Sequence, residues 1–140
     1  MKRQEYNQFS ANNNILVMIQ YGKELIIDLH NCDSTTFTRK SIRKYFKLLC
    51  EKIDMNPEKL CWWDDYGLEP EYQQTEPHTK GTTAIQFILT SNITIHTLDI
   101  LENVYINVFS CKDFDSDIAI KFSEEWFRGK VVNSQIIERI

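Results

Sequence analysis

TTAIQFILTSNITIHTLDILENVYINVFSC, residues 82–111, is the stretch whose reading decides the fold. It divides into three β-rich runs in quick succession: TTAIQFILTS (82–91), ITIHTL (93–98) and VYINVFSC (104–111). Around Ser91 to Thr97 the side chains alternate, Ile93 and Ile95 facing one way and Thr94 and His96 the other. That period of two is the pattern of a strand with one wet face. Ser91 ends the first run, His96 lies on the second and Cys111 closes the third, so pairing of neighbouring strands can gather all three near one end of a sheet. On spacing alone the trio is weak evidence of a site and reads better as the polar side of a β-sheet with a core cysteine.

Working outward, residues 1–13 form a polar arm, and residues 14–140 are expected to make one domain. ILVMIQ (15–20) and LIIDLH (25–30) read as a hairpin with Gly22 in its turn. In STTFTRKSIRKYFKLLCEKIDM the period changes. Phe37, Ile42, Phe46, Leu49 and Ile53 fall at near-helical spacing, with Ser34 or Thr35 as the cap and the Lys and Arg residues at 39, 40, 43, 44 and 47 as a solvated face. KLCWWDDY (59–66) reads as a strand whose adjacent Trp62 and Trp63 point to opposite faces, the exposed one free to line an interface or a substrate loop. Gly67 to Lys80 has no periodicity and reads as a mobile loop. FDSDIAIKFSEEWF places Ile118, Phe122 and Trp126 on one helical stripe, capped by Asp115 or Ser116 and ended by Gly129, before VVNSQIIERI returns as a strand. The order β-β-α-β-β-β-α-β predicts an α+β fold, a two-layer sandwich in which two helices pack on one face of an antiparallel sheet. The other face then needs a partner, which predicts a dimer.

Composition narrows the function. Hydrophobic residues make up 42% and charged residues 26%, with a net charge of −4, which argues against general nucleic-acid binding. No apolar run reaches the roughly 18 residues of a membrane span, and the polar start lacks the apolar centre of a signal peptide. Cys32, Cys50, Cys61 and Cys111 have neither zinc-ligand spacing nor a secretory context, so they read as cytoplasmic thiols, with no metal site and no disulfide framework.

SNITIHT, with VFSC following on the next run, resembles the prokaryotic S-adenosylmethionine decarboxylases, in which Ser-His-Leu-Thr-Ile-His-Thr is followed by a strand ending Val-Phe-Thr-Cys. The intervals from Ser91 to His96 and to Cys111 agree without a gap. ELIIDLHNCD resembles the family's first strand, and KGTTAIQFILTS stands in the expected order. The resemblance implies a pyruvoyl-dependent carboxy-lyase that makes its own cofactor, with no metal. Ser91 would be the pyruvoyl precursor and the Schiff-base residue, and self-cleavage at Thr90–Ser91 would give a β chain, 1–90, and an α chain, 91–140. His96 would be the processing base, and Thr83 would stand where the family has a serine that assists processing. Cys111 would be the proton donor to the substrate carbon. The implied role is decarboxylation of S-adenosylmethionine for polyamine (spermidine) biosynthesis, by a cytoplasmic homodimer acting on a small amino-acid-type substrate.

The departures lie around the substrate. Thr90 replaces a glutamate, Asn92 a histidine, and Pro77 an aromatic residue that stacks on adenine in the family. Leu98-Asp99-Ile100 stands where the family has Trp-Pro-Glu, whose glutamate holds the ribose. Asp99, together with Tyr66, Tyr72 or His78 from the loop, is the candidate substitute for those contacts. Two other readings remain open: the same chemistry on ornithine or arginine, with Asp64, Asp65, Glu69 and Glu71 meeting a cationic side chain, or an uncleaved, non-catalytic relative that binds or regulates a partner.

Overall fold

The computed structural model describes residues 19–140. The expected arm and the run 15–18 lie outside them. Six strands, β1 (Gly22–His30), β2 (Pro57–Trp63), β3 (Gly81–Ile88), β4 (Ser91–Leu98), β5 (Asn103–Ser110) and β6 (Lys130–Arg139), form one sheet in the order β2-β3-β4-β5-β1-β6. Every neighbouring pair is antiparallel. Two helices, α1 (Arg39–Lys52) and α2 (Ser116–Phe127), complete the α+β sandwich.

The alternation read in the sequence sets the two faces. Leu25, Ile27 and Leu29 of β1, Ala84 of β3, Ile93 and Ile95 of β4 and Val104, Ile106 and Val108 of β5 are buried in one core. Ile42, Phe46 and Leu49 of α1 and Phe127 of α2 join them, so both helices cover that face. Tyr45 brings a hydroxyl into that core, 2.8 Å from Ser123 Oγ, which itself donates to Ala119 O at 2.7 Å. A buried phenol without such a partner would cost its desolvation in full, and burial pushes the Tyr45 pKa up.

Several local expectations change. Gly22 is not a hairpin turn but the first residue of β1, opposite Arg139 of β6. Its glycine answers a close approach, because a Cβ there would run into Ser110 O and Cys111 Cα at the end of β5. Helix α1 is capped by Thr38, whose side chain accepts from Ser41 N, while Ser34 and Thr35 belong to a separate 3-10 turn capped by Asp33. Arg39 is no free surface cation: its Nε and Nη2 each lie 2.6 Å from an Asp64 oxygen, and its guanidinium sits 4.5 Å from the Tyr66 ring centroid. The buried stripe of α2 is Ser116, Ala119, Ser123 and Phe127, leaving Ile118 exposed. Phe122 instead stacks on Tyr45 at 5.7 Å, and Trp126 donates to Ser41 Oγ. Asp115 caps that helix, and it ends through Arg128 in the left-handed region rather than through Gly129.

Residues 64–80 are more ordered than a sequence without periodicity suggests. Asp65 Oδ2 accepts from Gln74 N at 2.8 Å and from Lys80 Nζ at 3.1 Å, tying the start of the loop to its end. A 3-10 turn at Pro70–Tyr72 lies between them.

Candidate active site

The β3–β4 hairpin positions most of the site. Ile88 pairs with Ser91, so Leu89 and Thr90 alone make the turn, and Thr90 takes a left-handed φ of 53°. Ser91 starts β4 on the buried side, in phase with Ile93, Ile95 and Thr97. Across the next ladder β5 ends at Ser110, which brings Cys111 beside the turn. Ser91 Oγ accepts from Cys111 N at 3.3 Å and donates to Cys111 Sγ at 3.7 Å. Thr90 Oγ1 lies 3.2 Å from the same sulfur and donates to Leu89 O at 2.8 Å. The Cys111 thiol is held below its ordinary pKa, chiefly by the Thr90 hydroxyl, against a desolvation that raises it, with further help from Ser91, its own backbone and the Tyr21 phenol.

His96 is elsewhere. It lies five residues along β4, about 17 Å from Ser91 at the usual rise per residue, and on the opposite face. Ser91 and Cys111 therefore converge, as expected, but His96 does not join them within one chain. The reason is the alternation itself: an odd interval on a strand reverses the side. His96 pairs instead with Thr83, whose Oγ1 is 2.9 Å from Nδ1. Partial loss of water holds the imidazole pKa below its ordinary value.

Thr83 and His96 open onto a cavity of about 440 Å³ lined also by Trp63, Tyr105, Gln74 and His78. The register explains it, since Trp63, Thr83, His96 and Tyr105 lie side by side across β2, β3, β4 and β5. Trp63 is 55% exposed there, while Trp62 packs against the core. No carboxylate, lysine or arginine lines this cavity among the described residues. A second, more polar cavity of about 420 Å³ reaches Cys111 from the other side, between Tyr21, Lys23, Asp113 and Glu138.

The substrate candidates fare differently. Tyr66 is turned away, packed on Arg39, and does not line the cavity. Asp99 sits in the β4–β5 turn, its N–H on Lys80 O, also outside the lining. Burial raises its carboxyl pKa, opposed by Lys80 and reinforced by Asp65. His78 does line the cavity, whereas Tyr72 is exposed and does not. Tyr105, Gln74 and Tyr21 were missed. Tyr105 was within reach, because counting the ladder across from His96 lands on it.

A family model described as S-adenosylmethionine decarboxylase matches residues 23–140. The chain belongs to that family. Among solved structures it is similar to the adenosylmethionine decarboxylase from Aquifex aeolicus, with a TM-score of 0.68 at 18% identity, covering 86% of this chain and 91% of that one. No curated protein matches. In this member of the S-adenosylmethionine decarboxylase family the candidate site residues fall in two groups: Thr90, Ser91 and Cys111 at one end of the sheet, Thr83 and His96 on the far face. Among the described residues no cluster of His, Cys, Asp and Glu is arranged to hold a metal, and no helix is long and apolar enough to cross a membrane.

Proposed function

We propose that this family member is a self-processing, pyruvoyl-dependent decarboxylase of S-adenosylmethionine, working as a cytoplasmic homodimer whose product enters spermidine synthesis. The meeting of Ser91 with Cys111 beside the tight Leu89–Thr90 turn carries the reading.

Ser91 Oγ adds to the Thr90 carbonyl carbon, the C–N bond between the residues breaks, and the hydroxyl proton passes to the freed amine. Removal of the residue-91 Cα proton and cleavage of its Cβ–Oγ bond then release Thr90 as a carboxylate. Water converts the remaining dehydroalanine to a ketone and frees ammonia. The surroundings suit a carbonyl at this position, since the Cys111 N–H already points at the Ser91 oxygen and Ser91 itself is buried. A pyruvoyl group held at residue 91 would supply a ketone able to accept the substrate amine and serve as the electron sink for decarboxylation. Cys111 returns the proton to the substrate carbon.

The base that takes the Cα proton is His96 of the partner subunit, held by Thr83. Within one chain the imidazole stands too far away and on the wrong face, whereas a two-fold axis would bring each copy's far cluster to the other's Ser91. The uncovered sheet face, with Trp63 and Phe87 exposed and Ile26, Ile85 and Phe109 half-buried, supports that pairing. The uncharged, aromatic lining beside His96 suits a flat neutral group, which favours S-adenosylmethionine over a cationic amino acid. Asp99 lies outside the cavity, so the ribose contact expected of it is missing, which keeps ornithine or arginine as the second reading.

Intact mass tests the processing. Two fragments, 1–90 and 91–140, the second bearing a borohydride-reducible carbonyl, are expected. A single chain of 16.6 kDa under all conditions overturns the enzyme reading in favour of a non-catalytic partner protein. Release of ¹⁴CO₂ from S-adenosylmethionine, ornithine and arginine in parallel separates the substrates.

A further inference from the structure

We propose that Thr90 is a positioning residue for Cys111, its hydroxyl holding the thiol against residue 91 in both protonation states. The proposal rests on the reading of Ser91 as the processed residue, and two independent observations carry it.

The first is the backbone. Five non-glycine residues among those described have positive φ: Asn31, Asp54, Thr90, Glu102 and Arg128. Thr90 is the β-branched one, in a conformation that glycine or asparagine adopts far more readily. A threonine held there offers something a glycine would not.

The second is the hydrogen-bond chain. The single Thr90 hydroxyl proton goes to Leu89 O, so Thr90 Oγ1 faces the sulfur as an acceptor for the Cys111 S–H. Ser91 O–H points at the sulfur in turn, and Cys111 N–H at Ser91 Oγ, so each group gives and receives once. When the thiol gives up its proton, a rotation about one bond turns the Thr90 hydroxyl from Leu89 O to the thiolate. The same group thus serves the cysteine before and after proton transfer. Processing carries the Ser91 oxygen away into the Thr90 carboxylate, which leaves the Thr90 hydroxyl and the Tyr21 phenol as the thiol's side-chain partners.

The cations around the sulfur are already paired. Lys23 is held by Asp113 at 2.8 Å and by Phe114 O, Lys112 by Asp54 and Arg139 by Glu24, while Glu138 lies across the second cavity. The hydroxyl, rather than a nearby ion, is the group to remove.

The test uses the full chain with Ser91→Ala, which cannot split, and reads the rate of Cys111 alkylation by iodoacetamide against pH, with the modified peptide identified by mass. Thr90→Val keeps the β-branched shape and the backbone strain but not the hydroxyl. Its alkylation midpoint is expected to rise by about one pH unit, the scale of a hydrogen bond to a charged group, and Thr90→Ser is expected to restore it. Matching thermal melts show that the variants are folded. An unshifted midpoint in Thr90→Val, or no rescue by serine, overturns the proposal. Intact mass of the unmutated chain reads processing separately, so a chain that never splits overturns the proposed function while the alkylation shift still reports on the contact.

Discussion

If each site is built from two subunits, two inactive variants should repair one another. His96→Ala keeps an intact Ser91–Cys111 pair but carries no imidazole to its partner. Ser91→Ala cannot be cut but still carries Thr83 and His96. Each homodimer is therefore expected to remain uncut. In a dimer of one with the other, the His96→Ala chain meets the imidazole of the Ser91→Ala subunit and is cut; the reverse site has neither serine nor imidazole. Co-expressed in equal amounts with random pairing, about half of the His96→Ala chains sit in mixed dimers. About a quarter of all chains should then appear as the 1–90 and 91–140 fragments. Each variant carries a different tag, and denaturing electrophoresis with intact mass assigns the fragments. The separation of about 17 Å along β4, with Ser91 and His96 on opposite faces, is what the result measures. Cutting of the His96→Ala homodimer alone, or no cutting in the mixture while mixed dimers are recovered, refutes the reasoning.

The remaining predictions concern acid and packing. Desolvation depresses the His96 pKa, so the neutral imidazole persists to lower pH than usual, and the rate of chain splitting should hold until the pH falls below about 6.5. The same shift means that the unfolded chain binds the proton more readily: stability from His96 is present above the unfolded pKa and lost as pH falls through the folded one, which urea unfolding across pH 5–8 would register. Ile95→Ala, fully buried in mid-β4, should cost about 2–5 kcal/mol in urea denaturation, and a loss below about 1 kcal/mol would contradict its place in the core. Gly22→Ala should lower the melting temperature by several degrees and slow splitting, because the added carbon forces β1 away from the end of β5 that presents Cys111.

The strand pattern was legible because period two translates directly into faces. Ile93, Ile95 and Ser91 fall on the buried side and His96 on the other, as the alternation required. The expectation of one converging trio failed for a reason present in the same residues: five positions is an odd number. Gly22 misled because a glycine needed for close packing looks like one needed for a turn, and only the end of β5 tells them apart. The 67–80 loop looked formless since its order comes from Asp65, just before it, reaching Gln74 and Lys80, contacts with no periodic signature. The cavity was only half visible. Trp63 could be assigned to one of two faces, but its place beside Thr83, His96 and Tyr105 depends on the register of four strands.

The two-residue turn at Leu89 and Thr90 has a consequence for the life of the molecule. Strand β3 is laddered to β2 on one side and β4 to β5 on the other, so severing the turn between them removes no rung of either ladder. A cut there would leave two polypeptides interlocked in one sheet, the larger holding β1, β2 and β3 and the smaller β4, β5 and β6. While folded, such a heterodimer would behave as the parent chain does. Once unfolded, its halves would drift apart, and reassembly would become a second-order encounter that slows with dilution. Maturation would thus be a one-way passage, and the uncut precursor the form best able to refold by itself.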